Sequence, residues 1–193
     1  MTDTIQSIDY NEASEELRRQ IAALQHRVWP DVCTAPKETI PDAHGKEFHA
    51  RSFFIYADGK LASYAGVVCK TIMHEGKAFK IAGLSSVATD PEYQGRGLGS
   101  CTVSGATQWI EQTDTDFGIF TCEPSLARFY EQAGSWQVAP DVILVGSHDE
   151  DALSSNNLPV VVLMSLLSEK AKGCESILRH TSIYLDLPVG KFL

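Results

Sequence analysis

The chain has 193 residues, 44% apolar and 21% charged, with a formal net charge of −9 at pH 7. That length suits one domain with a real core, residues 1–193, and the acidic balance argues against nucleic acid as the main partner, because phosphate neutralisation needs clustered Lys and Arg. A cationic substrate is compatible with the charge, and so is a plain solvated acidic surface. The five cysteines, Cys33, Cys69, Cys101, Cys122 and Cys174, lack C-x-x-C spacing. They offer no disulfide framework or zinc knuckle and read as small buried thiols of a reducing compartment. No basic-then-apolar leader opens the chain, and the longest apolar run, Leu158 to Leu167, is broken by Pro159 and Ser165. A cytoplasmic protein with no membrane partner and no metal is the expectation.

Asn11 to Trp29 reads as an amphipathic helix: Leu17, Ile21, Leu24 and Val28 recur at helical spacing, Ser14 with Glu15 and Glu16 marks its start, and Pro30 stops it. Asp31 to Lys46 is polar and reads as a long loop carrying Asp31, Glu38, Asp42 and His44. Three strands of an antiparallel meander follow, Glu47 to Tyr56, Leu61 to Met73 and Ala78 to Thr89, joined by turns at Asp58-Gly59 and His74 to Lys77. After a Gly-rich turn comes a helix from Cys101 to Glu111, then a short buried strand, Phe117 to Cys122. Strand, crossover helix and strand imply parallel pairing. Glu123-Pro124-Ser125 opens a helix, Leu126 to Ala133, with Gly134 as its C-cap. Gln137 to Val145 is a strand broken by Pro140, and Gly146 to Asn157 a polar loop with His148 to Asp151 at its head. Leu158 to Leu166 is a buried strand, Ser168 to Arg179 a helix weakened by Gly173, and Ser182 to Leu187 a last strand.

The chemistry concentrates at Gln94-Gly95-Arg96-Gly97-Leu98-Gly99. Glycines at every second position bare main-chain N–H groups where a helix begins, a geometry that suits phosphate oxygens. A P-loop is excluded, since no Gly-Lys-Ser/Thr is present. A dinucleotide fingerprint is disfavoured because several meander strands precede the turn. A plain structural turn stays open on the glycines alone. The fuller string, Val87-x-x-x-Pro91-x-x-Gln94-Gly95-Arg96-Gly97-Leu98-Gly99, resembles the acetyl-CoA motif of the GNAT N-acetyltransferase superfamily, Gln/Arg-x-x-Gly-x-Gly/Ala. Leu126-Ala127-Arg128-Phe129-Tyr130-Glu131-Gln132-Ala133-Gly134 resembles that family's Ala-x-x-Phe-Tyr-Glu-x-x-Gly helix. The likeness covers about residues 61–145. It departs where Ser135 intervenes before Trp136 (the family has Phe or Trp directly after the Gly), which calls for a local bulge.

The resemblance implies a mixed α+β fold: a mostly antiparallel central sheet, splayed at the acetyl-CoA site, with helices on both faces. It implies that main-chain N–H groups of Gln94, Gly95, Arg96, Gly97, Leu98, Gly99 and Ser100 hold the CoA pyrophosphate. Val87, Ala88 and Thr89 would pair with the pantetheine arm like an added strand. Tyr130 matches the family Tyr near the CoA sulfur and is the candidate acid; its plain alternative is a packed Tyr with a capped hydroxyl. Many members carry a Glu just before the Val-x-x-x-Pro run, where this chain has Ser85 and Ser86. Glu123 is the favoured base instead, against first-turn helix capping, with Glu47, His49 and Asp186 as lesser alternatives. Cys122 reads as a buried thiol rather than an acyl carrier.

The acceptor is expected to be a small cationic amine, an aminoglycoside or polyamine. The N-terminal helix with its acidic loop, and Ile183 to Pro188, resemble in outline the bacterial aminoglycoside 2′-N-acetyltransferases. Protein, peptide or other metabolite amines, an acyl group longer than acetyl, and a homodimer are left open. The competing reading is a catalytically weak acyl-CoA-binding or sensor module of the same fold.

Overall fold

The computed structural model describes residues 4–30, 43–188 and 190–193. Residues 31–42 of the expected acidic loop, with Asp31, Glu38 and Asp42, lie outside them. Nine strands and five α-helices are formed among the described residues. Seven strands make one sheet in the order β1-β2-β3-β4-β5-β8-β6, and β7 and β9 make a two-stranded one. The described residues gather into two compact units, one from 1–68 and 84–106, the other from 69–83 and 107–193. Strands β3 (Lys60–His74) and β4 (Lys77–Thr89) and helix α2 (Leu98–Glu111) contribute to both.

In the first unit, α1 runs Glu15–Val28, and the Ser14 side chain accepts the Leu17 N–H as the N-cap. Its apolar stripe, Leu17, Ile21 and Leu24, is buried. β1 (Gln6–Asp9) pairs antiparallel with β2 (Arg51–Ala57), and β2 with β3. Ala57 faces Lys60 across a two-residue loop, and Asp58 and Gly59 both take positive φ, 52° and 77°. Those are the angles a right-twisted hairpin demands of Asp-Gly. Leu61 to Val68 is buried at every position, so β3 is covered on both faces there.

Asp90 fixes the end of β4. Its carboxylate is 1% exposed and accepts Arg27 Nε of α1 at 2.7 Å, Lys60 Nζ at 3.1 Å and the Glu92 N–H at 3.1 Å. Burial alone would raise its pKa. The Glu92 N–H, Lys60 and Arg27 outweigh burial and hold the carboxyl below its usual range. A folded-state pKa under the unfolded value of about 3.9 means the stabilisation is complete above that value and lost as pH falls through the lower one. Asp90→Asn is expected to cost about 2 kcal/mol, since Arg27 loses its charged partner while Lys60 keeps Glu92. Its stability, measured by urea unfolding, should fall less steeply than the wild type's below about pH 4. Equal stability of the two chains at pH 7 would contradict this.

In the second unit, β3 and β4 meet in a tight turn at Glu75 (φ 46°) and Gly76 (φ 72°). β4 pairs in parallel with β5 (Phe117–Cys122) at Ile81↔Phe117 and Ala82↔Gly118, as strand, crossover helix and strand require. β5 pairs antiparallel with β8 (Val161–Leu166), and β8 with β6 (Gln137–Val138). Phe79 and Phe117 pack edge to face at 5.6 Å. Asp116 is buried and takes the Lys80 N–H, Ser168 Oγ and Lys170 Nζ, which makes it a strut for the chain entering α4 (Glu169–Gly173).

Several expectations shift. The strand predicted from Glu47 starts at Arg51: Glu47 lies in a 3₁₀ turn, Lys46–Phe48, and His49 is left-handed at φ 42°. The meander has a fourth strand, β1. Gln137 to Val145 splits at Pro140, which has no N–H for a ladder. β6 joins β8, while β7 (Val142–Val145) pairs in parallel with β9 (Thr181–Tyr184). The helix predicted over Ser168 to Arg179 breaks after Gly173 into α4 and α5 (Glu175–Leu178). Asp186 lies beyond β9, left-handed at φ 50°, with its carboxylate 3.3 Å from His148 Nε2.

Candidate active site

In the first unit, β4 carries Ser86 at φ 55°, a left-handed residue inside a strand. The following residues, Val87, Ala88 and Thr89, run to Asp90, with Ala88 buried and its neighbours half-buried. Pro91–Tyr93 forms a 3₁₀ turn capped by Asp90. Gln94 Nε2 reaches back to Thr89 O at 3.3 Å. Gly95 and Gly97 stand at φ 76° and 81°, and a Cβ on either would meet nothing within 4 Å. The turn is therefore left-handed twice and open above. Cys101 N–H to Gly97 O is the first bond of α2. The N–H groups of Leu98, Gly99 and Ser100 precede it and have no helical acceptor. Leu98 is buried beside Ile55, Ala57, Ala62 and Tyr93, which anchors the turn. Arg96 is exposed and lies over the Tyr93 ring at 4.7 Å, with Asp58 3.9 Å away. Two left-handed glycines with open space at their Cβ positions, followed by the free first-turn N–H groups of a helix, are features compatible with a pyrophosphate.

In the second unit, Tyr130 sits on α3 (Ala127–Ala133). Its ring is buried edge-on against Phe120 and Phe129, each at 5.0 Å. Its hydroxyl makes no hydrogen bond to any described residue. Burial, then the nearby Cys122 thiol, pushes the phenol above its ordinary range, which keeps its proton in place. Cys122 is itself pushed up to about 11 by burial and then by the Glu123 charge. It stays a thiol and is a poor nucleophile. Glu123 precedes the 3₁₀ turn Pro124–Leu126, is exposed, and makes no side-chain capping bond.

Gly134 is the C-cap of α3, as expected, in extended backbone at φ −165°. What demands glycine there is space: a Cβ would stand 2.8 Å from Thr107 Cγ2 and 2.9 Å from Trp136 Cδ1. The additional Ser135 is accommodated without loss of the aromatic anchor. Trp136 is buried, donates its indole N–H to Thr107 Oγ1 at 2.9 Å, and covers Gly118, where a Cβ would come within 2.6 Å of its ring. Ser135 Oγ donates outward to Glu111.

The acetyltransferase (GNAT) domain profile matches residues 9–139. The chain belongs to the GNAT acetyltransferase family. Escherichia coli ElaA shares its fold at a TM-score of 0.57 and 15% identity, covering 84% of this chain and 99% of that one. An acyl-CoA N-acyltransferase from Pseudomonas aeruginosa superposes at 0.56 and 16% identity, over 83% and 97% of the two chains. The E. coli ribosomal-protein-S18-alanine N-acetyltransferase does so at 0.54 and 17%, over 86% and 95%. No curated relative matches this sequence. This GNAT chain is thus an acetyl-CoA-dependent acyltransferase by family, and the likeness to these structures is one of fold. No cluster of three metal-binding side chains occurs among its described residues, and none of their helices is long and apolar enough to cross a membrane.

The GNAT fold also assembles residues that the motifs do not mark. His44, past the acidic loop, is buried and shares a hydrogen bond of 2.9 Å with the Tyr64 hydroxyl, itself 3.1 Å from Ser52 Oγ. The imidazole occupies the space of a Gly66 side chain, and Ser85 O would stand 3.1 Å from the same Cβ. His44 therefore packs where β3 passes Ser85, the position of the missing Glu. A glycine inside a strand pattern signals such a close approach.

Proposed function

We propose that this GNAT protein transfers an acetyl group from acetyl-CoA directly to the primary amine of a small cationic molecule. The left-handed Gly95–Gly97 turn, open above and leading into the free N–H groups of α2, carries the reading. In it, residues Gln94 to Ser100 hold the pyrophosphate and the main chain of Val87 to Thr89 accepts the pantetheine arm as an added strand. The amine nitrogen attacks the thioester carbonyl carbon, the C–S bond breaks, and Tyr130 gives its hydroxyl proton to the departing sulfur. Its hydroxyl, unbonded among the described residues, and its raised pKa support that role. Glu123, exposed and uncommitted, takes the proton the amine loses. The net charge of −9 favours a cationic acceptor, an aminoglycoside or polyamine, in a cytoplasmic setting where Cys69, Cys101, Cys122 and Cys174 remain free.

The second reading, an acyl-CoA-binding module, rests on the residues Ser85 and Ser86, neither of which can act as a base. One experiment separates the two. CoA should raise the melting temperature, and acetyl-CoA with a panel of polyamines, aminoglycosides and amino acids should release free thiol, read with a thiol-reactive dye. Stabilisation without thiol release on any amine favours the binding module. No stabilisation by CoA removes both readings.

A further inference from the structure

We infer that Ser63 and Thr102 are positioning residues for acyl-CoA. With Thr89 they form a chain of hydroxyls that ties the strand proposed to pair with the pantetheine arm to the helix turn proposed to hold the pyrophosphate. The inference rests on the acetyl-CoA reading above. All of its residues belong to the first unit.

Ser63 lies on β3 between Ala62 and Tyr64, and all three are fully buried. Thr102, near the start of α2, is equally buried. Ser63 Oγ shares a hydrogen bond of 3.1 Å with Thr89 Oγ1. Thr102 Oγ1 lies 2.9 Å from Ser63 Oγ and 2.9 Å from Leu98 O. The Thr102 hydroxyl thus has one proton and two acceptors. Given to Ser63, that proton leaves the Ser63 proton for Thr89; given to Leu98 O, it grips the first residue of the helix. One serine and one threonine thereby join β3, the end of β4 and the first turn of α2.

Both ends of the chain are residues of the candidate site. Thr89 closes β4, and its carbonyl also takes Gln94 Nε2 at 3.3 Å. Leu98 opens α2 and packs with Ala62, the neighbour of Ser63. The Gly turn runs between these two points, so the hydroxyls fasten it across its base. A turn held at both ends keeps its N–H groups aimed without paying for their ordering when the ligand arrives.

Stability alone does not call for these groups. Replacing both partners of a buried hydrogen bond by apolar groups of the same shape is close to neutral. A satisfied buried network does something else, which is to rigidify the groups it joins. Ser63 and Thr102 stand where alanine and valine would fill the layer, and what they add is geometry at Thr89 and Leu98.

The test is a CoA titration by calorimetry, with melting temperatures, on the full chain and on Ser63→Ala, Thr102→Val, the double variant and Thr102→Ser. Each of the first two should weaken CoA binding about tenfold, as when the competent turn falls to roughly a tenth of the molecules. The double variant should lose no more than either single one, because the two residues act through one chain. Thr102→Ser keeps the hydroxyl and should stay within about twofold of the wild type. The double variant should melt within a few degrees of it. Unchanged CoA affinity in Ser63→Ala and Thr102→Val overturns the positioning role and leaves the acetyl-CoA reading intact. So does an equal loss in Thr102→Ser and Thr102→Val, a multiplied loss in the double variant, or a collapse of its melting temperature, each of which marks a packing role. Absence of CoA binding in the unaltered chain overturns the acetyl-CoA reading and the positioning role with it.

Discussion

Gly97→Asp is expected to abolish CoA binding, with a loss of roughly 100-fold or more in affinity. Two costs add. At φ 81° an L-residue is strained whatever the space around it, typically by about 1–2 kcal/mol. The carboxylate would then project over the N–H groups of Leu98, Gly99 and Ser100, the place proposed for phosphate, and repel it. Gly97→Ala separates the costs. Its Cβ meets nothing within 4 Å, so only the backbone term remains, and a loss of about tenfold is expected. Gly97 is exposed and contributes nothing to the core, so both variants should melt within a few degrees of the wild type. Isothermal titration with CoA decides the matter. Undiminished affinity in Gly97→Asp would falsify the assignment of the pyrophosphate site.

Tyr130→Phe is expected to lower kcat about 100-fold while leaving the Kd for CoA within about twofold. The substitution deletes only the hydroxyl. The ring keeps its edge contacts with Phe120 and Phe129 at 5.0 Å, and the lost hydroxyl had no hydrogen bond to a described residue, so folding stability should hold or rise slightly. With an acceptor found by the amine panel, steady-state kinetics beside CoA titration reads both constants. A drop in CoA affinity with kcat preserved would make Tyr130 a packing residue.

What was legible in the sequence is what is local. Ser14 before Glu15 and Glu16 marks the start of α1 because capping is settled within four residues. Asp58-Gly59 marks its hairpin because the two φ angles belong to those residues themselves. The Gly turn is similar: its left-handed glycines and the helix behind them are written in one stretch, so the phosphate geometry could be read before the fold. β1 was illegible for the opposite reason. Gln6–Asp9 is half exposed and has no apolar alternation, and only its register against Phe54 to Arg51 makes it a strand. Pro140 announced a break but not that its two sides join different sheets. His44 against Gly66 and Leu193 on Thr121 are contacts over long sequence separations, 72 residues in the second case. The isolated glycines at 66 and 83 were the one local trace of them.

Trp136 gives the molecule an internal light. Of the three tryptophans, Trp29, Trp109 and Trp136, this one alone is buried. It lies 4.7 Å from the Phe120 ring, which also carries Tyr130. Its emission is therefore the blue-shifted component of the spectrum, and the layer that holds the candidate acid can be followed optically, without a label, as the protein is titrated or unfolded.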